Sequence, residues 1–127
     1  MKNFIKFLIP IIIFVSTINA QVPTKSGWNL ISLPVNVPDS RKIIIFPDAV
    51  SLAYAYSNGY VNKDTLFNGI GYWLKFSENG DIPLYGEDVY RDSCAVEQGW
   101  NIIGSVSLPV PVNMIMTEPN EIITSNR

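Results

Sequence analysis

Gly27-Trp28-Asn29-Leu30-Ile31-Ser32-Leu33-Pro34 returns as Gly99-Trp100-Asn101-Ile102-Ile103-Gly104, followed by Ser105-Val106-Ser107-Leu108-Pro109. The offset between the two tryptophans is 72 residues, and Pro47 and Pro119 share it. A fixed offset in matching contexts points to an internal duplication, which decides the fold before any single element does. The first copy is expected over 27–98 and a partial second copy over 99–127. The sequence runs 28 residues past Gly99, so the second copy lacks counterparts of the Asn-Gly hairpin and the Tyr-Trp strand of the first. Two arrangements are open at this stage: the natural protein continues, or the last segment closes the sheet that the first opened.

Outward from the motif the chain reads as short strands separated by turns. Trp28 to Leu33 is apolar on both faces and stops at Pro34, as a buried strand would. Val35 to Asp39, flanked by prolines, reads as loop. Ser40 to Phe46 contains three isoleucines that favour a strand, but Ser40 as an N-cap and the stop at Pro47 favour a short helix near 40–46. Leu52, Tyr54 and Tyr56 alternate with small residues and share one strand face, and Asn58-Gly59 predicts a hairpin into Tyr60 to Lys63. Gly69-Ile70-Gly71 reads as a turn into Gly71-Tyr72-Trp73-Leu74-Lys75-Phe76, with Tyr72, Leu74 and Phe76 on one face and Trp73 and Lys75 on the other. Asn79-Gly80 turns into a strand over Ile82 to Tyr85, which Pro83 marks as an edge. Further strands are expected over Val89 to Val96 and Trp100 to Leu108. The fold class that follows is all-β, a small antiparallel sandwich or barrel.

Residues 1–20 read as a secretory signal peptide: Lys2 and Lys6, then an apolar run from Phe7 to Val15, then a small residue at Ala20. No second long apolar run occurs, so no membrane span is expected in the mature chain, residues 21–127. Without Lys2 and Lys6 the remainder carries seven basic and eleven acidic side chains, a net charge of −4. No basic cluster is present, which disfavours nucleic acid as a partner. Histidine is absent, which removes Ser-His-Asp, Cys-His and histidine–zinc chemistry together. The lone Cys94 excludes an intrachain disulfide and reads as a buried thiol, with intermolecular pairing or a reactive thiolate as the alternatives.

The carboxylates Glu78, Asp81, Glu87, Asp88 and Asp92 fall within fifteen residues, yet their spacing matches no calcium loop and reads as solvated turn charge. No phosphate loop, nucleophile elbow or Cys-x-x-Cys is present, so no catalytic, cofactor or metal residue is expected, and the chain is not expected to be an enzyme. The aromatics are the functional candidates. Trp28 and Trp100 recur with their neighbours, as core landmarks of a duplicated unit would, and a core Trp28 implies a loss of roughly 3–5 kcal/mol on truncation to alanine. Trp73 shares its face with Lys75 and is the expected exposed ring. Tyr54, Tyr56 and Tyr60 near the hairpin tip join it as candidate ligand contacts. Asn29 and Asn101 are expected to satisfy backbone groups at a bulge or corner.

The string Gly-Trp-Asn-Leu-Ile-Ser, Phe46-Pro47, Ala53 to Tyr56, Gly59-Tyr60, Gly71 to Phe76 and Gly99 to Gly104 resembles a repeat of large bacterial secreted and cell-surface multidomain proteins. The resemblance covers most of 26–127 and implies a non-catalytic accessory module; it transfers no functional residue. The expected function is a secreted or cell-surface structural or adhesion-type module, with the periplasm as another destination. The alternative is a carbohydrate-binding module that uses exposed aromatics. Partners are then a glycan or neighbouring repeat domains.

Overall fold

A computed structural model describes Pro10 and residues 20–123. The signal-peptide reading therefore lies outside the described residues, apart from Pro10 and Ala20. The described chain is all-β. Strands β1 (Ala20–Thr24), β2 (Gly27–Ser32) and β3 (Val35–Asn36) precede a single helical turn, α1 (Lys42–Ile45). Then follow β4 (Ala53–Tyr56), β5 (Tyr60–Lys63), β6 (Gly71–Phe76), β7 (Gly80–Leu84) and β8 (Glu87–Asp88).

One four-stranded antiparallel sheet, ordered β2-β6-β4-β5, forms the centre, and two ribbons, β1-β7 and β3-β8, flank it. The sheet is open, with β2 and β5 as its edges, so it is not a barrel. Its inner face carries Ile31, Ala53, Ala55, Tyr72, Leu74 and Phe76. Against that face pack Ile45 and Phe46 from the helical turn and Leu66 from the β5–β6 loop, with Val35 and Leu84 from the ribbons. The helical turn is held by the loop it faces: Lys42 N donates to Asp64 O at 2.7 Å and Leu66 N to Ser40 O at 2.9 Å. Phe46 meets Phe76 edge-on at 6.3 Å between ring centres.

Period-two alternation in β6 places Tyr72, Leu74 and Phe76 inward, as its sequence predicts. The β4–β5 hairpin turns through Asn58 (φ 51°) and Gly59 (φ 135°), the positive-φ pair that Asn-Gly supplies. Tyr72 closes the inner layer with its hydroxyl accepting from Phe67 N at 2.9 Å. Burial pushes its phenol pKa above the usual value. A raised folded-state value means stability is intact below the ordinary phenol pKa and is lost as pH rises through the folded one. Tyr72→Phe is expected to cost about 1–2 kcal/mol at neutral pH and to weaken this alkaline dependence, both read from urea melts at several pH values.

Several sequence expectations are corrected. Trp28 is 53% exposed and Trp100 85% exposed, so neither is core. Trp28 lies on the outer side of β2 with Leu30, while Asn29 and Ile31 face in. Cys94 is exposed, not a buried thiol. Val35 and Asn36 form β3 and pair with Asp88 and Glu87, where a loop was expected. Ala20–Thr24 forms β1, paired with β7 from Ala20↔Leu84 to Thr24↔Gly80. Arg41, not Ser40, is the helical N-cap and makes no side-chain cap bond. Residues 89–96 and 100–108 form no strand. The second segment makes one β-bridge, Ile70↔Ile103, and is further tied down where Ser105 N donates to Ser32 Oγ at 3.0 Å and Ser107 Oγ to Pro34 O at 2.6 Å; among the described residues it does not extend the sheet as a further strand.

That bridge depends on a close approach. Gly104 N donates to Gly69 O at 2.9 Å, and a Cβ at position 104 would come within 2.8 Å of Ile70 N. Gly104→Ala is therefore expected to part residues 102–104 from residues 69–71. Hydrogen exchange should show the Gly71 amide, which donates to Ile102 O at 3.2 Å, losing protection while Leu74 keeps its own.

Candidate functional site

The outer face of the four-stranded sheet carries an uncovered group of rings. Cross-strand pairing explains why they meet. Trp73 in β6 lies opposite Leu30 of β2 on one side and Tyr54 of β4 on the other. Tyr56 lies opposite Tyr60 across the hairpin. Directly opposed residues point to the same face, so Trp28, Tyr54, Tyr56, Tyr60 and Trp73 gather there with Leu30, while Tyr72 and Phe76 point inward.

Trp28, Tyr54, Tyr60 and Trp73 line an open hollow of about 540 Å3 whose wall is almost wholly carbon. Trp28 and Tyr54 stand 6.1 Å apart with their planes tilted by 56°. Tyr56 meets Tyr60 edge-on at 5.4 Å; it buttresses Tyr60 without lining the hollow. Three of the four sequence candidates, Trp73, Tyr54 and Tyr60, thus line one surface, and the fourth supports it. Trp28 was missed as a site residue. The signal that could have found it is the alternation in β2: once Ile31 and Leu33 are inside, Trp28 and Leu30 must be outside.

The rest of the surface is organised for structure. A second depression is lined by Pro23, Thr24, Lys25, Asn29, Asn79, Gly80 and Asp81, but its amides are already engaged. Asn29 Oδ1 accepts from Lys25 N at 2.9 Å, its Nδ2 donates to Lys25 O at 2.7 Å, and Asn79 Oδ1 accepts from Ser26 N at 2.9 Å. Asp39 and Arg41 form an exposed ion pair that holds the Asp39 carboxyl down to about 2. Burial lowers the Lys42 pKa, and its ammonium donates to Ala49 O at 3.0 Å. Glu78, Asp81, Glu87, Asp88 and Asp92 are all exposed. Among the described residues no three metal-ligating side chains gather, and no helix is long and apolar enough to cross a membrane.

The ring geometry favours apolar shape recognition. Sugar-binding platforms gain from rings presented flat to a pyranose and from polar groups at the rim that hydrogen-bond to hydroxyls; here Trp28 and Tyr54 are tilted to each other and the wall carries few polar atoms. A flat or branched apolar side chain fits such a cleft without leaving polar groups unpaired. The sequence matches no family model, no curated protein and no solved structure.

Proposed function

We propose that this chain is an exported, non-catalytic binding module of structural or adhesion type, which docks a neighbouring protein through the outer aromatic face of its sheet. The observation that carries the reading is the carbon-walled hollow of Trp28, Tyr54, Tyr60 and Trp73, left uncovered on a sheet whose other face holds the core residues of β2, β4 and β6. Exposed, clustered aromatic surface of this kind marks interaction sites, and tryptophan and tyrosine dominate their energetics. The basic, apolar and small-residue order of residues 1–20 supports export to the outside of the cell or its surface. The repeated Gly-Trp-Asn segments support a place beside further domains of similar build.

Carbohydrate binding is the second reading, favoured by the number of rings on one face. The test is a titration followed at the indole N–H resonances of Trp28 and Trp73, with Trp100 as internal reference. The ligands are short peptides anchored by tryptophan or phenylalanine on one side, and cellohexaose and chitohexaose on the other. Saturable shifts at Trp28 and Trp73 with the peptides alone support protein docking. Shifts with the sugars alone transfer the module to glycan binding, and no shift with either ends both.

A further inference from the structure

Residues 99–103 repeat the start of β2 in sequence and in the turn that launches it, but not in what lies beside it. Gly27 and Gly99 have φ of 100° and 101°. Asn29 clamps the turn through Lys25 N at 2.9 Å, Lys25 O at 2.7 Å and Gly27 O at 3.0 Å. Asn101 makes the same three bonds, with Glu97 N at 3.0 Å, Glu97 O at 2.7 Å and Gly99 O at 3.1 Å. The recurrence of Gly-Trp-Asn is thus a recurrence of one strand-starting device: a glycine in the left-handed region and an amide that closes the loop behind it.

The two segments differ at the edge beyond the turn. In β6, Gly71 N donates to Ile102 O at 3.2 Å and Lys75 O accepts from Val50 N at 2.8 Å. Those residues turn their backbones away from β2. Alternation along an antiparallel ladder then assigns the β2–β6 bonds to Tyr72, Leu74 and Phe76, and on β2 to their opposites Ile31, Asn29 and Gly27. In the second segment, Ile102 O and Gly104 N are turned toward residues 69–71. The backbone groups of Asn101 and Ile103, the counterparts of Asn29 and Ile31, therefore point the other way, and among the described residues they meet no backbone partner. The side chains tell the same story: Ile31 is 5% exposed and Ile103 44%. Among the described residues, Asn101 and Ile103 lack the backbone partner and the cover that β6 gives Asn29 and Ile31, and their edge ends at Ser105, whose N donates to Ser32 Oγ at 3.0 Å.

We infer that residues 99–104 form an acceptor edge for an extended partner segment with the pattern of β6, Gly-Tyr-Trp-Leu-Lys-Phe. It would pair antiparallel in the β2–β6 register, with tyrosine opposite Ile103, leucine opposite Asn101 and phenylalanine opposite Gly99. Main-chain bonds to Asn101 and Ile103 supply affinity, and the alternating apolar side chains that cover Ile103 supply selectivity, as in recognition by strand addition. The edge is separate from the aromatic hollow and does not depend on what fills it.

The test uses the full chain and a synthetic peptide with the sequence of residues 69–77, followed by residue-resolved hydrogen exchange. At about 1 mM peptide the amides of Asn101 and Ile103 are expected to exchange at least about tenfold more slowly, with β2 and β6 unchanged. A peptide with proline in place of its leucine, which cannot complete the ladder, is expected to give no protection. Asn101→Ala, which opens the turn far from the packed core, is expected to weaken peptide binding by about tenfold or more. Absence of protection overturns the inference. So does equal protection by the proline peptide, or protection confined to residues 27–32, which would mean that the peptide has only exchanged with β6.

Discussion

Phe46→Ala is expected to lower the unfolding free energy by roughly 3–5 kcal/mol in urea melts, enough to remove a large share of the roughly 5–15 kcal/mol that holds a small domain folded. Phe46 is fully buried and closes the C-terminal end of the helical turn that packs against the sheet. Its ring meets Phe76 edge-on, and its backbone N donates to Lys42 O at 2.8 Å to end the helical turn. Truncation opens a void between the sheet and Leu66 that the short, tethered loop cannot collapse into. Trp28→Ala removes a larger side chain, yet is expected to cost only about 1 kcal/mol, because the indole is half exposed and its one ring contact is with Tyr54 across the outer face. A melt in which Trp28→Ala is the more damaging of the two would invert the inside and outside of the sheet assigned above.

That reversal of rank shows where sequence reasoning worked and where it did not. Local chemistry was legible. Asn58-Gly59 specified its hairpin, the alternation of Gly71 to Phe76 specified both faces of β6, and Ser40 to Pro47 held one helical turn, over Lys42–Ile45. Elements held by distant partners were not. The sequence Gln-Val-Pro-Thr has no strand pattern of its own and becomes β1 because Gly80–Leu84 offers a ribbon edge. Val35–Asn36 becomes β3 through Glu87–Asp88, and Asn68 reinforces it from the β5–β6 loop, where Nδ2 donates to Leu33 O at 2.8 Å and Val35 O at 3.0 Å. The opposite error arose at residues 89–108. Their apolar, β-branched content reads as strands, but strand propensity is a preference for a pleated, half-buried surface, and beyond the single Ile70↔Ile103 bridge no described strand pairs with them.

The site was legible in its members and obscure in its logic. Tyr54, Tyr60 and Trp73 follow from alternation alone. Trp28 was assigned to the core because it recurs, yet recurrence in Gly-Trp-Asn is explained by the glycine and the asparagine, which build the turn. The tryptophan rides outward on the strand that this turn starts.

Trp73→Ala is expected to weaken docking of an aromatic-anchored peptide by at least about 2 kcal/mol, or ~30-fold in Kd. Trp100→Ala is expected to leave it unchanged. Trp73 holds the central position on the inner strand β6, opposed by Leu30 of β2 on one side and by Tyr54 of β4 on the other, and it lines the hollow with Trp28, Tyr54 and Tyr60. Tyr60→Ala, at the rim on an edge strand, should cost less, near 1 kcal/mol, because solvent already reaches that ring. Some folding stability goes with Trp73 as well, since its indole is half-buried between two strands, so the binding comparison must be made well below the melting transition of each variant. The gradient is the discriminating feature. Docking into the hollow requires Trp73 to dominate, Trp28 and Tyr54 to follow, and Tyr60 to come last. Loss of binding that is equal for Trp73→Ala and Trp100→Ala would move the contact to the second Gly-Trp-Asn segment and away from the sheet face.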